Sequence, residues 1–192
     1  MRLFVAIELP KKLRDLLEER SSILASTIHS NIIRWVRPEG IHLTLKFLGE
    51  VPSEKIEAVH DAVRSVGPHF SAFDFSVGGL GCFPNLRRPR VIWIGVREVT
   101  GSLEALQVEI ERAFGDLGFE KENRSFHPHL TLGRVRRGVR RTDHQAVADA
   151  LTRMEHFSLG DYRVEEICLF RSELKPTGAV YNKLLVVPLE KS

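Results

Sequence analysis

The sequence predicts a mixed helix and strand protein built from two similar lobes. The first observation is the tetrapeptide His-Leu-Thr-Leu, which occurs at positions 42–45 and again at positions 129–132. The second observation is that each copy lies in an apolar run typical of a β-strand and is followed by a pattern typical of a helix. Two halves with the same order of elements indicate an internal duplication. Because no Pro- or Ser-rich linker separates them, we expect one intertwined unit with a cleft.

The first half alternates strands with helices. Strands are predicted over 3–7, 33–36, 42–48 and 73–77, where apolar residues are continuous or alternate with polar ones. A first helix is predicted from Pro10 to about Leu24, and a second from Pro52 to about Val63, because apolar residues recur there at helical spacing. The glycine-rich segment 78–84 is predicted to be a loop.

The second half is predicted to repeat this order. Strands are expected over 91–96, 130–135, 164–170 and 179–187, and helices over 101–117 and about 142–154. The second copy of the tetrapeptide therefore has the same neighbours as the first, which supports the prediction of two related lobes.

The overall composition is that of an ordinary globular protein. The 192 residues are 43% hydrophobic and 28% charged, and no apolar run approaches the length of a membrane span. The first apolar stretch, 3–7, is too short for a signal peptide, so we expect a cytoplasmic protein without a membrane partner. Cys82 and Cys168 lack metal-ligand spacing, which argues against a structural zinc site. A net charge of +3 and an isoelectric point of about 9.0 suit an anionic partner.

The repeated tetrapeptide places two polar side chains on one face of each strand. Successive side chains of a strand point to opposite faces, so His42 and Thr44 share one face, and His129 and Thr131 do the same. Buried imidazoles and hydroxyls without partners would cost stability, so we expect both pairs to face the cleft. One imidazole can give a proton while another takes one, without a metal or cofactor. Two imidazoles and two hydroxyl groups in one cleft are suited to cleaving a phosphodiester. The residues alone do not indicate which histidine is the acid.

A metal site is the alternative interpretation of the second motif. His127 and His129 have the His-x-His spacing of a metal pair. No carboxylate or cysteine lies nearby at ligand spacing, and Pro128 is unusual inside a continuing strand. We therefore expect no metal and a structural role for His127 at the entrance of the strand.

Two clusters of arginines are candidates for contacts to a nucleic-acid backbone, although solvated loop charge is the alternative explanation. The clusters contain Arg87, Arg88 and Arg90, and Arg134, Arg136, Arg137, Arg140 and Arg141. Arg134 is the best candidate because it ends the motif strand, and Arg90 is a second. Strict alternation puts Arg134 on the leucine face, so a bend is needed for it to reach the cleft. Among the aromatic residues, Phe4 is a candidate for stacking on a base.

The chain resembles the 2H phosphoesterases, a family named for two His-x-Thr/Ser-x motifs. It is most similar to the RNA 2′,3′-cyclic phosphodiesterase branch, historically called 2′-5′ RNA ligases. The resemblance covers nearly the whole chain, through segments 2–7, 42–51, 90–96, 126–134 and 172–181. It implies an α+β fold of two pseudo-symmetric lobes, each an antiparallel sheet with helices packed outside and the active-site cleft between them. Residues 1–192 would then form one domain.

The resemblance also implies an activity and a role for each motif residue. The activity is hydrolysis of a 2′,3′-cyclic phosphate to a 2′-phosphate, with His42 as proton donor and His129 as proton acceptor. Thr44 and Thr131 would bind the phosphate oxygens. The implied partner is RNA with a 2′,3′-cyclic phosphate end, or a cyclic nucleotide, and we expect a monomer without a cofactor. The alternatives are 2′-5′ RNA ligation at the same site and a non-enzymatic RNA-binding module.

Overall fold

The computed structural model describes residues 1–28, 31–154, 156–175 and 178–190. This part of the chain contains nine β-strands and four α-helices. In chain order they are β1 (Arg2–Glu8), α1 (Lys11–Ile28), β2 (Ile33–Trp35), β3 (His42–Glu50), α2 (Ile56–Val66), β4 (Phe73–Phe83), β5 (Val91–Arg97), α3 (Ser102–Asp116), β6 (His129–Val135), α4 (Arg141–Arg153), β7 (Ser158–Val164), β8 (Glu166–Lys175) and β9 (Gly178–Pro188). Positions 176 and 177 of the closing segment that resembles the 2H family lie outside the described residues.

The strands form two sheets. The first sheet has the order β3-β1-β8-β9, and the second has the order β2-β6-β5-β4-β7. Within the described residues, every pairing between neighbouring strands of these sheets is antiparallel. The predicted α+β fold with two antiparallel lobes is thus confirmed. No helix in the described part of the chain is both long and apolar enough to cross a membrane.

Each sheet is covered by helices from both halves of the sequence. Helix α3 contacts β3 and α2 contacts β9, so these two helices cover the first sheet. Helix α1 contacts β6 and α4 contacts β4, so this pair covers the second sheet. The helix after β1 therefore packs on the opposite lobe, as does the helix after β5. Buried residues of both sheets and all four helices join in one apolar cluster.

The glycine-rich segment predicted to be a loop is a strand. β4 continues through it to Phe83 and pairs with β5 and β7. Two of its glycines are required by close packing instead of by a turn. A Cβ at Gly81 would lie 2.1 Å from Cη2 of Trp93, and one at Gly78 would lie 2.3 Å from the carbonyl oxygen of Phe157. The prediction was wrong because a sequence does not distinguish glycine at a close contact from glycine in a turn.

The single strand predicted over 164–170 is replaced by two strands. β7 ends at Val164, and β8 begins at Glu166 and continues to Lys175. β7 is an edge strand of the second sheet, and only Leu159 and Val164 of its residues are buried. An edge strand with so few buried positions has little of the apolar alternation from which strands are predicted.

Candidate active site

Each His-x-Thr pair lies at the start of a strand, one in each sheet. The motif leucines are buried, and the histidine and threonine are half-buried on the opposite face, as alternation predicts. In β3, His42 pairs with Glu8 and Thr44 pairs with Ala6. β3 contacts β6, which brings the two motif strands together where the lobes meet. We call the face of each sheet that carries its histidine the cleft face.

A β-bulge interrupts β3 directly after its threonine. Thr44 pairs with Ala6, but the next paired residue is Lys46, opposite Val5, so Leu45 is extra. Leu45 and Lys46 are both buried, although they are consecutive. A bulge reverses the alternation of the residues that follow it. Phe47, five residues after the histidine, therefore returns to the cleft face.

The same bulge occurs in β6. Trp93 pairs with Thr131 and Ile92 pairs with Gly133, so Leu132 is the extra residue. Leu132 and Gly133 are both buried. Arg134 then lies on the cleft face, paired with Val91. Arg134 could reach the cleft only if the strand departed from strict alternation, and this bulge is that departure. Arg134 therefore lies at the position equivalent to Phe47 in the other motif strand.

His42 is enclosed by aromatic rings. Its imidazole stacks on Phe4 with ring centroids 4.6 Å apart, and Tyr181 meets it edge-on at 5.0 Å. A third ring, Phe170, lies 6.2 Å away. Burial lowers the pKa of His42 from 6.5 to about 4, partly offset by a backbone hydrogen bond to Gly40. In the free protein this imidazole is therefore neutral at pH 7.

His129 is held by a hydrogen bond to the backbone. Its Nδ1 lies 2.6 Å from the carbonyl oxygen of His127 and donates to it, because a carbonyl can only accept. In the neutral ring, Nε2 is then the nitrogen able to accept a proton. Burial is the main cause that lowers the pKa of His129, and the nearby charges of His127 and Arg134 lower it further. Phe83 packs edge-on against this ring at 4.9 Å.

The other candidate residues have different surroundings. Phe4 is 2% exposed, so it packs against His42 and has no free face for a base. Arg90 is exposed and lies just before β5. Its neighbour Val91 is on the cleft face, so alternation along the strand places Arg90 on the opposite face of the sheet. Phe47, by contrast, is 67% exposed on the cleft face.

Sequence reasoning missed two cleft-face residues, Phe47 and Arg34. The common offset of Phe47 and Arg134 from their histidines was the signal that could have found the first. Arg34 lies in the short strand β2, opposite Arg134. That Arg34 lies on the cleft face can be deduced only once the pairing of β2 with β6 is known.

The described residues contain no group of three or more His, Cys, Asp or Glu side chains arranged to hold a metal ion. The ring of His127 instead packs edge-on against Trp93 at 5.0 Å and Phe83 at 5.4 Å. These contacts fit a structural role for His127 at the start of β6.

Comparison with protein families identifies the chain. The model of the LigT-like phosphoesterases matches twice in succession, over residues 7–93 and 94–181. This chain belongs to the LigT-like phosphoesterase family. The two matches correspond to the two halves that carry the motifs, so the predicted relationship to the 2H phosphoesterases is confirmed. Within the family, the chain is similar to proteins of archaea and bacteria.

Two archaeal relatives match along almost their whole length. A Methanothermobacter thermautotrophicus protein named RNA 2′,3′-cyclic phosphodiesterase is 36% identical over 189 residues, which are 98% of this chain and 99% of that protein. An Archaeoglobus fulgidus protein of the same name is 37% identical over 186 residues, or 97% of this chain and 99% of the relative.

Solved structures of family members share the fold. TT0787 of Thermus thermophilus superposes with a TM-score of 0.82 at 29% identity, covering 98% of each chain. Escherichia coli LigT complexed with 3′-AMP gives a TM-score of 0.76 at 28% identity, covering 98% of this chain and 97% of LigT.

Proposed function

We propose that this protein hydrolyses the 2′,3′-cyclic phosphate at the end of an RNA to a 2′-phosphomonoester. The observation that carries the proposal is the repeated arrangement of imidazole, hydroxyl and bulge in two contacting strands from different sheets. It supplies two proton-transfer groups and two hydroxyl donors to one cleft. The names of the archaeal relatives support the same reaction.

The proposed reaction begins with His129. Its Nε2 accepts a proton from a water molecule as the water oxygen attacks phosphorus. The Nδ1 bond to the His127 carbonyl supports this role, because it fixes the neutral tautomer with the acceptor nitrogen free. The lowered pKa of His129 keeps that nitrogen unprotonated at neutral pH.

His42 completes the proposed reaction. The bond between phosphorus and the 3′ oxygen breaks, and His42 gives its proton to that oxygen, leaving the phosphate on the 2′ oxygen. With a pKa of about 4 in the free protein, His42 needs the negative charge of the bound phosphate to favour its protonated form. The hydroxyls of Thr44 and Thr131 donate hydrogen bonds to the non-bridging oxygens, where charge accumulates in the transition state.

We further propose that the terminal base stacks on Phe47. Its exposure on the cleft face supports this contact, since an aromatic ring on a protein surface offers a platform that tolerates any base. We expect residues 1–192 to act as one unit and as a monomer, which light scattering during size-exclusion chromatography would test.

The test of the proposed function is phosphorus NMR of an oligonucleotide with a 2′,3′-cyclic phosphate end. The wild-type protein should convert the cyclic resonance to that of a phosphomonoester. His42→Ala and His129→Ala should each lose roughly 10²–10⁴-fold in turnover. His69→Ala, which removes an exposed histidine after α2, is the matched control and should keep normal turnover. Persistence of the cyclic phosphate with the wild-type protein would reject the proposal.

A further inference from the structure

The first motif strand adopts a register that its own sequence does not favour. Polar and apolar residues alternate strictly along the motif, with His42, Thr44 and Lys46 at the polar positions. In a regular strand this pattern would place Lys46 on the cleft face and Phe47 in the core. The bulge at Leu45 exchanges these two residues, so Lys46 is 4% exposed and Phe47 is 67% exposed. Another interaction must therefore offset the burial of an ammonium group and the exposure of a phenyl ring.

The second motif strand needs no such compensation. At the positions equivalent to Lys46 and Phe47, β6 has Gly133 and Arg134. A Cβ at Gly133 would lie 2.7 Å from Cγ2 of Ile33, so the inward position has no room for a side chain. An arginine at the next position favours the exposed side of the bulge. In β6 the bulged register and the sequence agree, whereas in β3 they conflict.

The conflict in β3 is resolved by Glu111 of helix α3. Its Oε2 accepts a hydrogen bond from Nζ of Lys46 at 2.7 Å, and Lys46 and Glu111 are the only buried charged side chains among the described residues. The carboxylate is itself held by Nε2 of Gln107 at 3.4 Å and by the backbone N–H of Glu122 at 3.3 Å. These contacts are independent of β3, so the carboxylate is a fixed counter-ion for the residue that the bulge turns inward.

Without this counter-ion, the regular register of β3 would become the more favourable one. A buried ammonium group that loses its partner is strongly destabilising, whereas a strand without the bulge would carry Lys46 to solvent on the cleft face. The same shift would turn Phe47 into the core, because moving the register by one residue exchanges the faces. His42 and Thr44 precede the bulge, so their face does not depend on it.

We propose that Glu111 is a positioning residue for the substrate: by pairing with Lys46, it holds the bulged register of β3 and keeps Phe47 on the cleft face. Its effect on substrate affinity rests on the proposed function, in which Phe47 stacks on the terminal base. The register itself does not depend on that function. Glu111 thus acts on binding from the helix side of the sheet, without touching the substrate.

Steady-state kinetics with a cyclic-phosphate oligonucleotide tests the proposal. Glu111→Gln should raise KM roughly tenfold, as the loss of base stacking does, and should leave kcat little changed. Adding Lys46→Met to Glu111→Gln should return KM to near the wild-type value, because an apolar chain of similar length can stay inside. A pair that only stabilised the fold would give no such rescue of KM. Asp15→Asn, which breaks an exposed ion pair, is the matched control and should change neither constant.

Two kinetic outcomes would overturn the proposal: an unchanged KM in a folded Glu111→Gln protein, or a raised KM that Lys46→Met fails to restore. If circular dichroism shows that Glu111→Gln does not fold, Glu111→Asp takes its place, since its shorter side chain draws the carboxylate away from Nζ. Glu111→Asp should raise KM by a smaller factor, and an unchanged KM in this variant would count equally against the proposal.

Thiol labelling follows the register without any need for activity. Phe47→Cys places a reactive thiol at the exposed position, and peptide mass spectrometry separates its labelling from that of Cys82 and Cys168. Combining it with Glu111→Gln should remove most of this labelling, and Lys46→Met should restore it, with Cys82 as the unchanged reference. If the wild-type protein hydrolyses no cyclic phosphate but this dependence holds, the function is wrong and the control of register stands. If hydrolysis is normal and the labelling does not depend on Glu111, the proposal is wrong.

Discussion

Lys46 and Glu111 form a buried ion pair between the first motif strand and helix α3. The Nζ of Lys46 lies 2.7 Å from Oε2 of Glu111, and the side chains are only 3% and 7% exposed. Nζ also donates to the carbonyl of Glu120, and the same carboxylate accepts from the backbone of Glu122. The bulge turns Lys46 inward, so it ties β3 to the segment that leads to the second motif.

Breaking this pair should destabilise the protein strongly. Glu111→Gln leaves the Lys46 ammonium buried without its counter-ion, a change that typically costs about 3–5 kcal/mol. Lys46→Met together with Glu111→Leu removes both charges and should cost less than either single change. Urea unfolding measures the free energies. The exposed pair Lys11 and Asp15 supplies a control: Asp15→Asn should change the stability little, and a Glu111→Gln effect no larger than this control would contradict the role of the buried pair.

The sequence predicted the face of each motif but not the bulge that follows it. Alternation alone placed His42 with Thr44, and His129 with Thr131, and the structure agrees. The position of Phe47 depends on register between strands, which is a property of pairing and not of one segment. Lys46 illustrates the difficulty, because a lysine in a strand is normally interpreted as exposed.

The exchange of helices between lobes was equally beyond sequence reasoning. Apolar residues at helical spacing indicate that α1 and α3 each bury one face, but not which sheet covers that face. For a related reason, the sequence did not predict that β4 continues through its glycine-rich segment. Gly81 is needed for the ring of Trp93, a residue distant in sequence.

Replacing Phe47 should weaken substrate binding without slowing the chemical step. Stacking of a base on an aromatic ring contributes about 1–3 kcal/mol, so Phe47→Ala should raise KM by roughly tenfold or more, with kcat little changed. Phe47→Trp should restore the affinity, whereas Phe47→Leu, which is apolar but has no ring, should not. Steady-state kinetics with a cyclic-phosphate oligonucleotide measures both constants. Full activity of Phe47→Leu would exclude stacking.

Activity should not require a divalent metal. In the proposed reaction both proton transfers belong to imidazoles, so saturating EDTA should leave turnover intact, and elemental analysis should find no stoichiometric zinc. Activity lost to chelation and restored by a divalent ion would favour the alternative metal site at His127 and His129.

The pH profiles of kcat/KM and kcat should differ. The catalytic base must be neutral, so activity falls as the pH drops through the pKa of the base. The catalytic acid must be protonated, so activity falls as the pH rises through the pKa of the acid, and each profile is bell-shaped.

Because burial lowers the pKa of both His42 and His129 in the free protein, the bell-shaped profile of kcat/KM should be centred below pH 6.5. The bound phosphate anion favours protonated imidazoles, so the bell for kcat should lie at higher pH. The two pKa values that each bell-shaped profile reports are properties of the coupled histidine pair and not of either histidine alone. Coincident profiles, or a kcat/KM optimum above pH 7, would contradict this electrostatic account.

The position of the phosphate in the product tests the central claim most directly. If His42 protonates the 3′ oxygen while His129 activates water, hydrolysis leaves the phosphate on the 2′ oxygen and a free 3′-hydroxyl. Chromatography of the product from a 2′,3′-cyclic mononucleotide, against authentic 2′- and 3′-phosphate standards, distinguishes the isomers. The expected product is the 2′-phosphate. A dominant 3′-phosphate would contradict the assignment of donor and acceptor, even if both histidines proved essential.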